Sequence, residues 1–129
     1  MDDLDDRSSF VKIGGKEYRL SLTTRALKEI AKRYGGLNNL GEKLMSPENF
    51  EMAVEETVRL IVLLANQPIL LHNLRNWDKP EKLLTEDEVE LLTSPADFIG
   101  FKDAVTDAIS KGMARNVESE DTPKNTLPE

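Results

Sequence analysis

The chain of 129 residues has no cysteine, a single histidine and few aromatics, which make up only 5 % of it. The absence of cysteine excludes disulfides, thiolate metal sites and cysteine nucleophiles together. One imidazole falls short of the nitrogen and sulfur ligands that metal sites usually gather, and no Gly-x-Ser-x-Gly elbow accompanies it. His72 stands among Leu70, Leu71 and Leu74, where it reads as a partly buried, hydrogen-bonded side chain rather than a catalyst. Long apolar runs are missing as well. The longest, Leu60 to Ala65, is far below the roughly 20 residues of a membrane span. Asp2, Asp3, Asp5 and Asp6 are incompatible with a basic signal or transit peptide. A soluble, cytoplasmic protein is expected.

What is present begins with charge. The net charge of −7 is carried by the two ends. Residues 1–6 hold four acids and no base, and residues 116–129 hold four acids against Lys124. That leaves sixteen acids and sixteen bases in 7–115, a formally neutral body. The ends have the polar make-up of disorder, so acidic tails over 1–9 and 114–129 are expected to flank one domain over 10–113. A neutral body lacks the field of a nucleic-acid binder and permits self-association.

The stretch from Phe10 to Leu22 alternates around Gly14-Gly15. A two-residue turn needs positive φ, which glycine reaches without a Cβ clash, and Val11, Ile13, Tyr18, Leu20 and Leu22 supply an apolar face. The rest reads as helices. Thr23 or Thr24 caps one running to Tyr34, with Ala26, Leu27, Ile30, Ala31 and Tyr34 as its stripe and Gly35-Gly36 as its stop. Leu37, Leu40 and Leu44 suggest a short helix interrupted by Gly41. Ser46-Pro47-Glu48 opens the next, amphipathic at first and apolar nearly all round from Val58 to Ala65, so it is expected at the centre of the fold. This helix is expected to end near Asn66, with Pro68 starting another segment that runs from Ile69 to about Trp77. Thr85-Glu86-Asp87-Glu88 has the form of a capping box leading into Val89, Leu91 and Leu92. Ser94-Pro95-Ala96-Asp97 starts the last helix, which Gly112 is expected to close. The fold class is α+β: an N-terminal β-hairpin packed on a mainly α-helical domain of four to five helices.

Little here points to chemistry. Gly14-Gly15-Lys16 lacks the spaced glycines and Lys-Ser/Thr end of a phosphate loop. Glu55-Glu56 reads as part of an exposed helix face, and Glu86-Asp87-Glu88 as capping; neither has the alternation or glycine of a calcium loop. A non-enzyme without metal or cofactor is expected. Trp77, beside Arg75, either anchors a partner or packs the helix end against the core. Leu70, Leu71 and Leu74 are equally suited to core or to a binding groove. A helix-turn-helix is the competing idea. Ala31 and Gly35 have its A-x-x-x-G spacing, and Arg25, Lys28, Lys32 and Arg33 add charge. The apolar residue then arrives one place late, at Leu37, and Asn38 to Leu44 carries one base, Lys43. A generic protein-interaction adaptor is a third possibility.

A glycine-turn hairpin ending in K-E-Y-R-L, a helix ending in A-K-R-Y-G-G and an apolar central helix resemble the tail assembly chaperones of long-tailed phages and prophages, mainly of Gram-positive bacteria. The late segment L-L-T-E-D-E-V-E-L-L-T-S-P-A-D-F is similar to the acidic T-x-E-E-V-like stretch those proteins often carry before the last helix. The resemblance covers about residues 10–113; between Ile69 and Pro80 the chain is longer and more polar than the family pattern. It implies a chaperone without an active site that binds the tape-measure protein, helps recruit tail tube subunits in the cytoplasm of the bacterial host and leaves before the virion is complete. A homo-oligomer is compatible with it. The protein-binding residues expected on this reading are Leu70, Leu71, Leu74 and Trp77.

Overall fold

The computed structural model describes the backbone of residues 8–36, 39–40 and 50–126, and the side chains of 9–36, 39–40 and 50–114. Strands β1 (Ser8–Ile13) and β2 (Lys16–Ser21) pair antiparallel, from Ser8 opposite Ser21 to Ile13 opposite Lys16. Gly14 and Gly15 have φ of 60° and 83°, the two successive positive values of a tight hairpin turn. Alternation does the rest. Val11, Ile13 and Leu20 are buried on the inner face, Tyr18 is half-buried beside them, and Leu22 continues the buried line. On the outer face the Arg19 guanidinium lies 6.0 Å from the centre of the Phe10 ring, directly opposite in register.

Helix α1 (Thr24–Tyr34) is capped by Thr23, whose hydroxyl accepts the Ala26 N–H at 3.1 Å. Gly35, at φ 82°, ends it by donating its N–H to the Ala31 carbonyl. Ala26, Ile30 and Tyr34 are the buried stripe, Leu27 is half-buried and Ala31 faces outward. Leu40 is buried. The short helix expected over 37–44 and the Ser46-Pro47-Glu48 start otherwise lie outside the described residues.

Helix α2 (Phe50–Arg75) is the central element, about 39 Å long at 1.5 Å per residue. Val58, Leu60, Ile61, Leu64 and Ala65 are all buried, as their all-round apolarity demands. The helix does not break near Asn66: Pro68 lies inside it. An internal proline costs about 3 kcal/mol in intrinsic terms. Here it is offset by what the neighbouring side chains hold. Gln67 is buried with both ends satisfied, its Nε2 donating to the Leu63 carbonyl and its Oε1 accepting from the Thr23 hydroxyl. Ile69, one residue past the proline, is buried in its turn. Tertiary packing overrides local propensity.

Helix α3 (Glu86–Leu91) begins with the capping box in full: Thr85 accepts the Glu88 N–H at 3.2 Å and Glu88 accepts the Thr85 N–H at 2.9 Å. Its one core residue is Val89. A single 3₁₀ turn (Pro95–Asp97) follows, the Asp97 carboxylate accepting the Ser94 N–H at 2.8 Å. Helix α4 (Phe98–Thr126) buries Phe101, Val105 and Ala108, with Phe98 edge-on to Phe101 at 5.4 Å. The Ser9 hydroxyl donates to the Ala104 carbonyl at 2.7 Å and ties β1 to this helix.

Gly112 does not close α4, whose backbone stays helical to Thr126, through most of the segment expected as a tail. Its reason is close approach rather than a turn. A Cβ on Gly112 would stand 2.6 Å from the Leu22 Cβ and 2.9 Å from its Cδ2, so only glycine lets the end of the hairpin sit against the helix. Among the described residues the architecture is a two-stranded hairpin on four helices.

Candidate interaction surface

The end of α2 is built around two asparagines seven residues, or two turns, apart. The Asn66 amide donates to the Leu84 carbonyl at 2.9 Å and accepts the Leu84 N–H at 2.8 Å. The Asn73 amide does the same to Glu81, at 3.1 Å and 2.7 Å. Each side chain thus imitates a strand neighbour, and the chain leaving α2 is held antiparallel along the helix it has just left. The reversal itself is also pinned. Asn76 gives both its backbone and side-chain N–H to the His72 carbonyl, at 2.8 Å and 2.9 Å, and Lys79 N–H reaches Asn76 O at 3.0 Å. His72 Nε2 lies 3.2 Å from the Lys79 carbonyl, which can only accept, so Nε2 carries the proton. His72 is therefore the hydrogen-bonded side chain its sequence context suggested.

Trp77 stands at the tip of this reversal and is 83 % exposed; Leu74, three residues earlier, is 78 % exposed. The reading in which Trp77 packs the helix end against the core does not hold. The core side is already filled by Ile69 and Leu84, and the reversal turns residue 77 away from them. Leu70 and Leu71 are half-buried. Leu70 and Leu71 precede Leu74 by four and three residues on the helix, so they lead from the core edge to Leu74, and Trp77 follows in the turn beyond the helix end.

The second cluster joins α1 to α2. Glu56, expected on an exposed face, is buried. Arg33 approaches it with two guanidinium nitrogens, Nε at 3.1 Å and Nη2 at 3.0 Å, and the Tyr34 hydroxyl donates to the same carboxylate. Arg59 lies 3.9 Å away. The Arg33 hydrogen bonds hold the Glu56 carboxyl below its usual range, against the pull of burial. Burial first, and then the Glu56 carboxylate, push the Tyr34 phenol up to about 12. A cavity of 540 Å³ opens beside the cluster, with Ile30, Leu60 and Leu63 as apolar lining and Lys32 and Arg59 among its polar groups. A carboxylate already engaged by two partners is a structural tie rather than a free base. Arg33, one of the four cations that favoured a helix-turn-helix, is committed to it.

Neither cluster stood out in the sequence. Glu56 meets a partner 23 positions away, which no local pattern shows; the seven-residue spacing of Asn66 and Asn73 was the one available hint. In the sequence Leu91 and Leu92 read as continuations of Val89, and Ile99 is an apolar residue in the first turn of α4. All three are exposed, at 82 %, 55 % and 76 %. Among the described residues no group of three or more histidine or acidic side chains could hold a metal ion, and no helix is long and apolar enough to cross a membrane. No family model, curated protein or solved structure matches the chain.

Proposed function

We propose that this chain is a tail assembly chaperone of a long-tailed phage or prophage, a non-enzymatic protein that binds the tape-measure protein and promotes tail tube assembly. The observation that carries the reading is the pinned reversal after α2, which holds Trp77 and Leu74 in solvent. A large apolar side chain on a flexible loop would lose entropy on binding. One on a turn fixed by reciprocal amide bonds has already lost most of it. Tryptophan and arginine are the residues most enriched at binding hot spots, and Arg75, the last residue of α2, stands two positions before Trp77. The occupant that suits such a surface is a long amphipathic helix with an apolar stripe, the state of a tape-measure protein before the tube encloses it. On this reading the protein works in the host cytoplasm and is absent from the finished virion.

Co-expression tests the proposal. The tape-measure protein of the phage or prophage that carries this gene is expected to stay soluble with the wild-type chain and to aggregate with Trp77→Ala. Because Trp77 is exposed, that variant keeps its helical content and its unfolding midpoint. A tape-measure protein equally soluble without the chain, or with the variant, would remove the basis for the assignment.

A further inference from the structure

Two groups of exposed apolar side chains stand apart on the surface, and they differ in charge. At the C-terminal end of α2, Leu74 and Trp77 are flanked by Arg75 and Lys79, neither of which makes an ion pair among the described residues. Asp78 is the one acid within that turn. The second group is Leu91, Leu92 and Ile99, all exposed and within nine residues of one another in the chain. The chain from Glu86 to Asp97 carries five acids and no base. Glu86 is paired with Arg59 at 3.7 Å and Glu88 with Lys82 at 3.8 Å, which leaves Asp87 and Glu90 without such a partner among the described residues. Leu92 rests on the hairpin turn, where a Cβ at Gly14 would come 2.9 Å from its Cδ1. The acidic patch therefore has a firm backing as well.

Their separation follows from the helix. Glu86, which opens the helix carrying Leu91, is anchored at Arg59, sixteen residues or about 24 Å along α2 from Arg75 at the basic turn. One copy cannot bring its own basic apolar tip onto its own acidic apolar face. A second copy can. We propose that the Leu74–Trp77 turn of one molecule docks on the Leu91–Leu92–Ile99 face of the next, a head-to-tail contact between copies. Lys79 and Arg75 of the first would meet Asp87 and Glu90 of the second, with the aromatic ring covering the exposed leucines. Such a contact joins two different surfaces, so it leaves a free face at each end and propagates into chains unless it closes into a ring. The inference rests on the turn being a docking surface, as in the proposed function, but not on the identity of the tape-measure protein.

The test uses the full chain alone, so its outcome is independent of tape-measure binding. Sedimentation velocity of the wild type from about 10 µM to about 1 mM, the span suited to a small interface, is expected to show mass rising above the 14.5 kDa monomer. Trp77→Asp and Leu91→Asp each replace an exposed residue and keep the circular dichroism of the wild type. Each alone is expected to remain monomeric, because every contact uses one face of each kind. An equimolar mixture of the two retains one good face on each partner, so it forms a one-to-one dimer and stops there. Raising salt from about 0.05 M to about 0.5 M weakens the wild-type association several-fold. The proposal is overturned by a wild type that stays monomeric throughout, by a mixture that does not dimerise, by either variant associating as the wild type does, or by association indifferent to salt.

Discussion

Glycine-to-alanine changes at two positions of the same helix are expected to move stability in opposite directions. Both Gly100 and Gly112 lie in α4, where alanine is intrinsically better by up to about 1 kcal/mol. At Gly100 a new Cβ would meet nothing within 4 Å, so the gain is realised in part or in full. At Gly112 it would meet three atoms of Leu22, at 2.6, 2.9 and 3.2 Å. The nearest of these is the Leu22 Cβ, which is fixed by its own backbone and cannot rotate aside, and Leu22 is itself buried. Relief requires the end of the hairpin and the helix to separate. Overpacking of that kind costs about 1–3 kcal/mol, and the rigidity of the clashing atom places it near the upper end. Setting it against the propensity gain leaves Gly112→Ala destabilised by about 1–2 kcal/mol, a fall of roughly 5 °C in Tm for a chain of this size. Urea unfolding followed by circular dichroism, with midpoints compared at equal slope, reads both variants. A Gly112→Ala protein as stable as the wild type, or more so, would refute the close-approach role and return Gly112 to the status of an ordinary helical glycine.

Three further outcomes follow from the same structure. Glu56→Gln removes a buried carboxylate that two partners engage; because Arg33 is partly exposed, the loss is expected at about 1–3 kcal/mol in the urea midpoint rather than the full cost of breaking a sealed pair. Since the folded Glu56 carboxyl sits below its ordinary value of 4.5, the folded state binds fewer protons than the unfolded one in the acid window. Its stabilisation is complete above that value and is lost as pH falls through the folded value, so a midpoint series from about pH 6 to about pH 3 should decline less steeply for Glu56→Gln than for the wild type. Asn66→Ala strips two hydrogen bonds from the buried Leu84 backbone and should cost about 1–2 kcal/mol, whereas Asn73→Ala, at an exposed pair, should leave the midpoint nearly unchanged and speed hydrogen exchange at the Glu81 amide.

The parts of the fold that were legible are those fixed by neighbours in sequence. The Gly14-Gly15 turn, the Thr85 cap and the Gly35 stop each depend on chemistry within four residues and stand where the pattern places them, and of the two candidate caps, Thr23 and Thr24, it is Thr23 that caps α1. The misreadings share a cause of the opposite kind. Pro68 looked like a start because its missing N–H is a local fact, while the burial of Gln67 and Ile69 that carries the helix past it is a tertiary one. Gly112 has the sequence context of a helix stop, and its contact with Leu22 comes from a distant part of the chain. Beside Glu55, Glu56 reads as surface in the sequence because its partner, Arg33, lies in another helix. At the candidate site the line Leu70, Leu71, Leu74 and Trp77 followed from spacing and composition, but whether it faced the core or solvent depended on how the chain reverses after Arg75. That reversal is set by four side chains, of Asn66, His72, Asn73 and Asn76, whose polarity alone would suggest only a loop.

Trp77 is the sole tryptophan of the chain, so its emission reports on the proposed surface without interference. The central measurement is a titration of the purified protein with a recombinant helical segment of the tape-measure protein, following that emission. Docking on the turn predicts a saturable blue shift as the exposed ring is desolvated. Leu74→Ala should weaken the same titration about 30-fold if it is part of a hot spot worth 2 kcal/mol. Tight binding of the segment with the Trp77 emission unmoved would contradict the account by placing the contact elsewhere, and no binding at all would contradict the chaperone assignment itself.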